Sequence, residues 1–167
     1  VWESETACLK EFTDCFTIIR TGLYLSPNGG IWPKMIQTKS FGFLVIFGNG
    51  SQFYPWIHHH DYHRAISFII NQKMSGIINL TAPNPVSNRH FISEINHQLN
   101  QKVFQFAVPA FVLILVLGDL SQPLLSSANV IPDNLIKGGF KFQYAKLDEA
   151  IVNLLNLNRS ISIVKEQ

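Results

Sequence analysis

The sequence predicts an α/β protein built around a parallel sheet and followed by a small, mainly helical region. Up to residue 106, apolar β-branched stretches that end in glycine- or proline-containing turns alternate with stretches of helical periodicity. From Pro109 onward the apolar stretches have a helical pattern and are separated by proline and glycine. We therefore expect a sheet-containing part at residues 1–106, a helical part at residues 107–157 and a tail at residues 158–167.

The first predicted elements lie between residues 1 and 47. Residues 1–14 have the spacing of an amphipathic helix, and residues 16–25, rich in β-branched and aromatic side chains, predict a strand. Residues 31–39 predict a short helix, because the proline near its start is tolerated in a first turn. Residues 43–47 are apolar and precede a Gly-Asn-Gly turn, which predicts a second strand.

Two capping residues delimit the next predicted helices. Asp61 has the position of an N-cap before a run of helical periodicity, and Gly76 follows that run as its end. A short buried strand is expected at residues 77–81, and Ser87 then caps a helix that reaches the region of residue 99. The alternation of helix and strand is typical of a parallel sheet.

The last third of the chain predicts helices at residues 110–117, 132–138 and 147–157, with an extended piece at residues 140–144. The most apolar run, residues 111–117, is shorter than the roughly 20 residues that a membrane span needs. It therefore predicts a buried helix, and no membrane partner is expected.

The composition indicates that a segment or partner is missing. Charged residues make up 14% of the 167-residue chain, against roughly 25% in a typical soluble domain. Two or three predicted strands would leave unpaired edges, whereas open α/β sheets usually have about five strands or more. Because the chain also opens at Val1 without Met or a signal peptide, we expect a missing N-terminal half or a partner chain.

Charge and cysteine content exclude further classes. The net charge of +2, without basic runs, argues against nucleic-acid binding. Cys8 and Cys15 form neither a CxxC pair nor a disulfide framework, which favours a reducing compartment. We expect a cytoplasmic location, or an organelle if the source is eukaryotic.

Motifs of catalysis and cofactor binding are absent from the sequence. It contains no GxGxxG or GxxxxGK[ST] loop, no Tyr-x-x-x-Lys pair and no nucleophile elbow. His59 and His63 have the i, i+4 spacing of metal ligands, but a helix that starts at Asp61 would leave His59 outside it. We therefore favour a loop lining a polar pocket over a metal site, and we assign no catalytic residue.

Polar residues at predicted strand ends are the remaining site candidates. Ligands of open α/β sheets bind beyond the carboxyl ends of the strands. The candidates are Arg20, Gln52, Trp56, His58 and Asp61. Arg20 lies in an otherwise apolar strand, where an unpaired cation is costly, so it predicts either a ligand contact or a structural ion pair.

The order of short motifs along residues 1–157 resembles a known family. The motifs are Trp2-Glu3, Arg20-Thr21-Gly22, Gly29-Gly30, Gly48-x-Gly50-x-Gln52, Trp56-Ile57-His58-x-x-Asp61, Asn79-x-Thr81-Ala82-Pro83-x-Pro85-Val86-x-Asn88, Val108-Pro109, Leu117-Gly118 and Gly139-Phe140-x-Phe142-x-Tyr144. They resemble the C-terminal half of the epimerase family proteins, a branch of the extended short-chain dehydrogenases/reductases. The resemblance implies the C-terminal part of a Rossmann-type extended fold, followed by the family's small domain of unknown function.

The resemblance also implies a cofactor and site residues. It implies that full-length relatives bind NAD or NADP through an N-terminal half, which carries the glycine loop and the active-site tyrosine, and act on a small-molecule substrate. By position, the residues on the nicotinamide side would be Arg20, Thr21 and Gly22. Those on the substrate side would be Gln52, Trp56 and His58, while Asp61 would cap a helix.

The chain departs from the family pattern between residues 41 and 52. Leu44 and Val45 stand where two glycines are usual, so we expect backbone strain or a changed loop. Ser51 stands where arginine is usual, and its presence would remove an anion contact to the substrate.

Three hypotheses follow. The favoured one is an incomplete member of this reductase/epimerase family that binds no cofactor and is not catalytic alone. The second is a non-enzymatic interaction module that completes its sheet with a partner chain. The third is metal-dependent catalysis at the histidine group.

Overall fold

The computed structural model describes residues 15–99 and 103–165. The predicted helix at residues 1–14 lies outside this part of the chain. The strands are β1 (Thr17–Thr21), β2 (Leu23–Ser26), β3 (Gly29–Gly30), β4 (Phe43–Phe47), β5 (Phe53–Tyr54), β6 (Trp56–His58), β7 (Gly76–Leu80), β8 (Val86–Ser87) and β9 (Phe104–Val108). The α-helices are α1 (Trp32–Gln37), α2 (His59–Asn71), α3 (Asn88–Gln98), α4 (Ala110–Leu117), α5 (Gln122–Leu125), α6 (Asp133–Lys137) and α7 (Leu147–Lys165). Two 3-10 helices cover Thr38–Phe41 and Gly118–Ser121.

The strands form four small sheets, and the longer pairings are parallel, which confirms the predicted α/β class. β1 pairs with β7, β2 with β6, and β4 with β9, all in parallel. The antiparallel pairs are β2 with β3 and β5 with β8. The sequence predicted fewer strands, because segments of two or three residues carry no periodicity that a reader of sequence could recognise.

The single strand predicted at residues 16–25 is divided at Gly22. The Gly22 N–H still donates to the carbonyl of Leu80 in β7, whereas the next N–H, of Leu23, donates to the carbonyl of Pro55. β1 therefore pairs with β7, and β2 pairs with β6. Gly22 is the point at which the chain changes partner.

Two apolar clusters form the interior. The first cluster packs β4, α1 and α3 against α7, with Trp32, Leu44, Phe91 and Ile151 fully buried. The second cluster packs α2 and β7 against the segment from α6 to residue 142. The C-terminal residues thus supply part of both interiors.

The start of α3 agrees with the prediction from sequence, whereas the end of α2 differs from it. Ser87 caps α3 as predicted, since its hydroxyl accepts the His90 N–H at 3.2 Å. α2 ends at Asn71, not at Gly76, because a turn follows in which Lys73 takes a φ of 47° and donates its N–H to Ile70. Gly76 instead begins β7.

The C-terminal third also differs from the prediction. The helix predicted for residues 110–117 is present as α4, but it is not buried among the described residues, because Phe111 is 70% and Leu115 83% exposed. Residues 140–144 form no strand, and α7 continues to Lys165, beyond the predicted end at residue 157. None of the described helices is both long and apolar enough to cross a membrane.

β9 was missed by the sequence reading, and the predicted boundary between residues 106 and 107 falls inside it. β9 lies beside β4 in register, from Phe43 opposite Phe104 to Phe47 opposite Val108. The division of the chain into a sheet-containing part, a helical part and a tail stays a prediction.

Candidate functional site

The predicted cofactor side lies at the carboxyl end of β1. Arg20 and Thr21 are exposed, and they lie opposite Asn79 and Leu80 of β7. The strand carries exposed side chains from residue 19 to residue 21, and the contact of Arg20 with a ligand or an ion-pair partner stays a prediction. Gly22 is packed so closely on Pro55 that a side chain would meet the Pro55 carbonyl oxygen.

Gln52, predicted on the substrate side, is buried and holds two chain segments together. Its Nε2 donates to the carbonyls of Phe47, at 2.9 Å, and Leu124, at 3.0 Å. The Tyr54 hydroxyl donates to the same Leu124 carbonyl at 2.8 Å. Burial raises the pKa of Tyr54 to about 12, while its hydrogen bond with Gln52 opposes that rise. Gln52 also lines an open cleft together with Asn49, Ser51 and Ser127.

Trp56 and His58 are the first and last residues of β6, and both are buried. The Trp56 ring is fully buried, and its Nε1 donates to the Asn84 carbonyl at 3.0 Å. The His58 ring lies against Tyr144, with 3.9 Å between ring centroids, and its Nδ1 accepts the His60 N–H. These contacts give both residues a packing role, and their assignment to the substrate side stays a prediction.

The His58 ring is neutral at physiological pH. Burial lowers the pKa of His58 to about 3, and the neighbouring His59 lowers it as well, while the Asn153 side chain opposes the change and His60 lowers it further. Burial and two neighbouring histidines also lower the pKa of His59. A charged imidazole would have to form without water in this interior, which is costly.

Stability should therefore fall as the pH falls below the ordinary histidine pKa of about 6.5. Between that value and about 3 the unfolded chain binds a proton at residue 58 that the folded chain does not, so acid favours unfolding. Urea unfolding at pH 7 and pH 5 should show a loss of about 2 kcal/mol from this residue. His58→Gln should reduce the loss, whereas His97→Gln, at an exposed histidine, should leave it unchanged. An equal loss in both variants would contradict this account.

Asp61 does not cap the helix, contrary to the prediction. The N-cap of α2 is His58, three residues earlier, so Asp61 lies in the first turn of the helix. The Asp61 carboxylate, fully buried, accepts the backbone N–H groups of Gln143 and Tyr144 and pairs with Arg64 at 2.8 Å. It therefore joins α2 to the segment before α7. The sequence could not show this, because the partner residues are 82 and 83 positions away.

The earlier helix start also places His59 and His63 on one helical face, contrary to the prediction that His59 lies outside the helix. Spacing alone thus permits a metal site at these two histidines. Within residues 15–99 and 103–165, however, no group of three or more His, Cys, Asp or Glu side chains is arranged to hold a metal ion.

The departures in the loop region produce no strain. Leu44 and Val45 lie in the regular strand β4, and neither has a positive φ. The expected strain is therefore absent, because these positions are extended, which suits apolar and β-branched side chains. The Ser51 hydroxyl hydrogen-bonds the Asn49 side chain at 2.7 Å.

A cavity of about 510 Å³ between α1 and β4 was not anticipated from the sequence. Its walls include Lys34, Met35, Val45, Ile92 and Leu124. None of the six predicted site residues lines it, although Gln52 donates to the carbonyl of Leu124, which is a lining residue. The apolar run of β4 could have indicated this surface, but only pairing with α1 makes it concave.

Comparison with known proteins supports the resemblance. A domain of unknown function, DUF1731, matches residues 108–154. An epimerase family protein of Mycobacterium bovis is 32% identical over 152 residues, which are 90% of this chain and 50% of that protein. One from Staphylococcus aureus is 31% identical over 93% of this chain and 52% of its own length. The chain spans about half the length of these curated relatives.

Solved structures give the same fold. The human epimerase family protein SDR39U1, solved with NADPH, is 26% identical, with a TM-score of 0.77 over 83% of this chain and 47% of that chain. A nucleoside-diphosphate sugar epimerase of Corynebacterium glutamicum is 30% identical, with a TM-score of 0.65 over 92% of this chain and 29% of that chain.

The fold is thus the C-terminal part of a Rossmann-type, extended short-chain dehydrogenase/reductase. Within that class the chain matches the epimerase family proteins over about half of their length, and the match includes the DUF1731 region.

Proposed function

We propose that this chain supplies the substrate side of an NAD(P)-dependent epimerase or reductase and does not catalyse the reaction alone. The observation that supports the proposal is an edge of β1 that has no strand partner in the described part of the chain. Phe16 and Gly22 exchange hydrogen bonds with β7, so the even-numbered residues of the strand face β7. The backbone groups of Thr17, Ile19 and Thr21 point the other way, where the described part of the chain provides no strand. A strand of the nucleotide-binding half would pair there.

The proposed roles follow from position. Arg20, Thr21 and Gly22 end the strand that would adjoin the nucleotide-binding half, so we assign them to the cofactor side. NADPH in the human relative's structure supports NADP or NAD as the cofactor of the complete protein. The substrate-side roles of Gln52, Trp56 and His58 would be to shape and support the cleft, because two of the three are fully enclosed.

The chain alone should show no saturable NADPH binding at concentrations up to about 1 mM, the upper range of ordinary enzyme affinities. Binding should appear when the N-terminal half of the Mycobacterium bovis relative is added. Ile19→Pro removes an N–H that points away from β7, so it should abolish this rescue while leaving the β1–β7 hydrogen bonds in place. Titration with NADPH, followed by nucleotide fluorescence, measures binding by the chain alone and binding after the N-terminal half is added.

Ile77→Pro is the matched control, because residue 77 lies on the opposite edge of the same sheet. Its complex with the added half should bind NADPH like the unmodified chain. Saturable binding of NADPH by the chain alone, or equal rescue of both proline variants, would overturn the proposal.

A second candidate function is an interaction module that completes its sheet with another protein. It is favoured by the same β1 edge and by the exposed apolar residues Phe104, Phe111 and Leu115. Sedimentation and thermal unfolding together separate the candidates. A chain that sediments as a monomer and unfolds cooperatively argues against this second function.

A further inference from the structure

The cavity between α1 and β4 has the size of a small-molecule site. Its volume of about 510 Å³ lies within the range of roughly 300–1,000 Å³ that is usual for ligand pockets. The lining residues that the structure describes come from α1 and the residues flanking it, β4, α3 and the segment around Leu124. Met35 and Thr38 line one side, and Leu44, Val45 and Ile92 line the other.

The chemistry of the lining is apolar with one positive charge. Lys34 is the single cation among the described residues that line the cavity. The other polar side chain is Thr38, whose hydroxyl donates to the Met35 carbonyl at 2.8 Å. A sugar nucleotide presents several hydroxyls and two phosphates, which would be left without donors here, and unpaired buried polar groups are costly.

The walls are held in place before any ligand arrives. The Leu124 carbonyl accepts hydrogen bonds from both Gln52 and Tyr54. β4 is paired along its whole length with β9, and Ile92 of α3 belongs to the same buried cluster as Leu44 of β4. A preorganised apolar cavity of this kind binds without a large ordering cost.

An apolar surface continues from the cavity along the sheet. Val45 lies opposite Phe106 in register, and Phe106 packs against Phe43 with 5.2 Å between ring centroids. Phe41 and Phe104, 72% and 71% exposed, extend this row of rings. A chain longer than the cavity could therefore continue over an apolar surface.

We propose that the cavity binds a linear apolar chain with a single carboxylate, with the carboxylate at Lys34 and the chain along Met35, Val45 and Leu124. Its use as the substrate site of the complete protein rests on the proposed function, whereas the binding itself does not. The substrate class would then be an apolar acid, not a sugar nucleotide.

Calorimetric titration of the 167-residue chain with dodecanoate, below its micellar concentration and without nicotinamide cofactor, tests the proposal. We expect one saturable site for dodecanoate and none for UDP-glucose. Lys34→Gln should weaken dodecanoate binding about 2- to 5-fold and leave dodecanol binding unchanged, because one exposed charge pair contributes modestly. Lys39→Gln is the control, since Lys39 is a nearby cation outside the lining.

Val45→Trp should fill the cavity and lower dodecanoate affinity at least 10-fold. Because that variant can also disturb β4, amide hydrogen exchange of the unmodified chain provides a second readout. Dodecanoate should slow exchange in residues 31–38 and 43–47. The proposal is overturned if UDP-glucose binds more tightly, if Lys34→Gln and Lys39→Gln behave alike, or if protection appears elsewhere. Since no NADPH is present, these outcomes are independent of the test of the proposed function.

Discussion

Replacing Asp61 with alanine should lower the free energy of unfolding by about 3–5 kcal/mol, because two backbone N–H groups lose a charged acceptor at roughly 1–3 kcal/mol each. The carboxylate is fully buried and satisfies two backbone N–H groups, of Gln143 and Tyr144, besides Arg64. Alanine would leave these donors without an acceptor in the interior. The effect should exceed that of any surface charge in the described chain, because an exposed pair contributes little.

Urea unfolding of Asp61→Ala, followed by circular dichroism, measures this loss. Glu149→Gln is the matched control, since Glu149 forms an exposed pair with Lys146 at 3.8 Å. That variant should change stability by less than about 1 kcal/mol. Faster hydrogen exchange at residues 143 and 144 in Asp61→Ala would locate the loss. A stability equal to that of the control would show that the Asp61 contacts are not required.

Gly22→Ala should destabilise the chain by about 3 kcal/mol, the upper part of the usual range for overpacking. The added methyl group would meet the Pro55 carbonyl oxygen and would lie 3.0 Å from Cγ2 of Thr81. The clash is with backbone, which cannot turn aside as a flexible side chain can. At Gly22 the chain changes from pairing with β7 to pairing with β6. Relief of the clash must therefore disturb both strand pairs.

Gly29→Ala is the control for this prediction. A methyl group at Gly29 meets nothing within 4 Å, and the residue has no positive φ, so stability should stay within about 0.5 kcal/mol. Thermal unfolding of the two variants side by side gives the comparison. Equal melting temperatures would mean that the β2–β6 pairing shifts at little cost.

Local sequence determined the elements whose signals lie within a few residues. α3 begins after Ser87 because a hydroxyl at that position can satisfy a backbone donor three residues later. α1 tolerates its proline near the start for an equally local reason. The motif order also identified the family, since it depends on residue identities alone.

Contacts between distant residues decided the remainder. The role of Asp61 depends on N–H groups 82 and 83 positions away. Two-residue strands such as β5 and β8 exist only because they face each other.

The sequence by itself determined the α/β class, the family resemblance and the cap of α3. Only the tertiary structure decided that Trp56 and His58 are enclosed, that Gly22 is a strand junction and that a cavity forms beside β4. The physical reason is that burial and concavity arise where two elements meet, and that meeting is set by packing across long sequence separations.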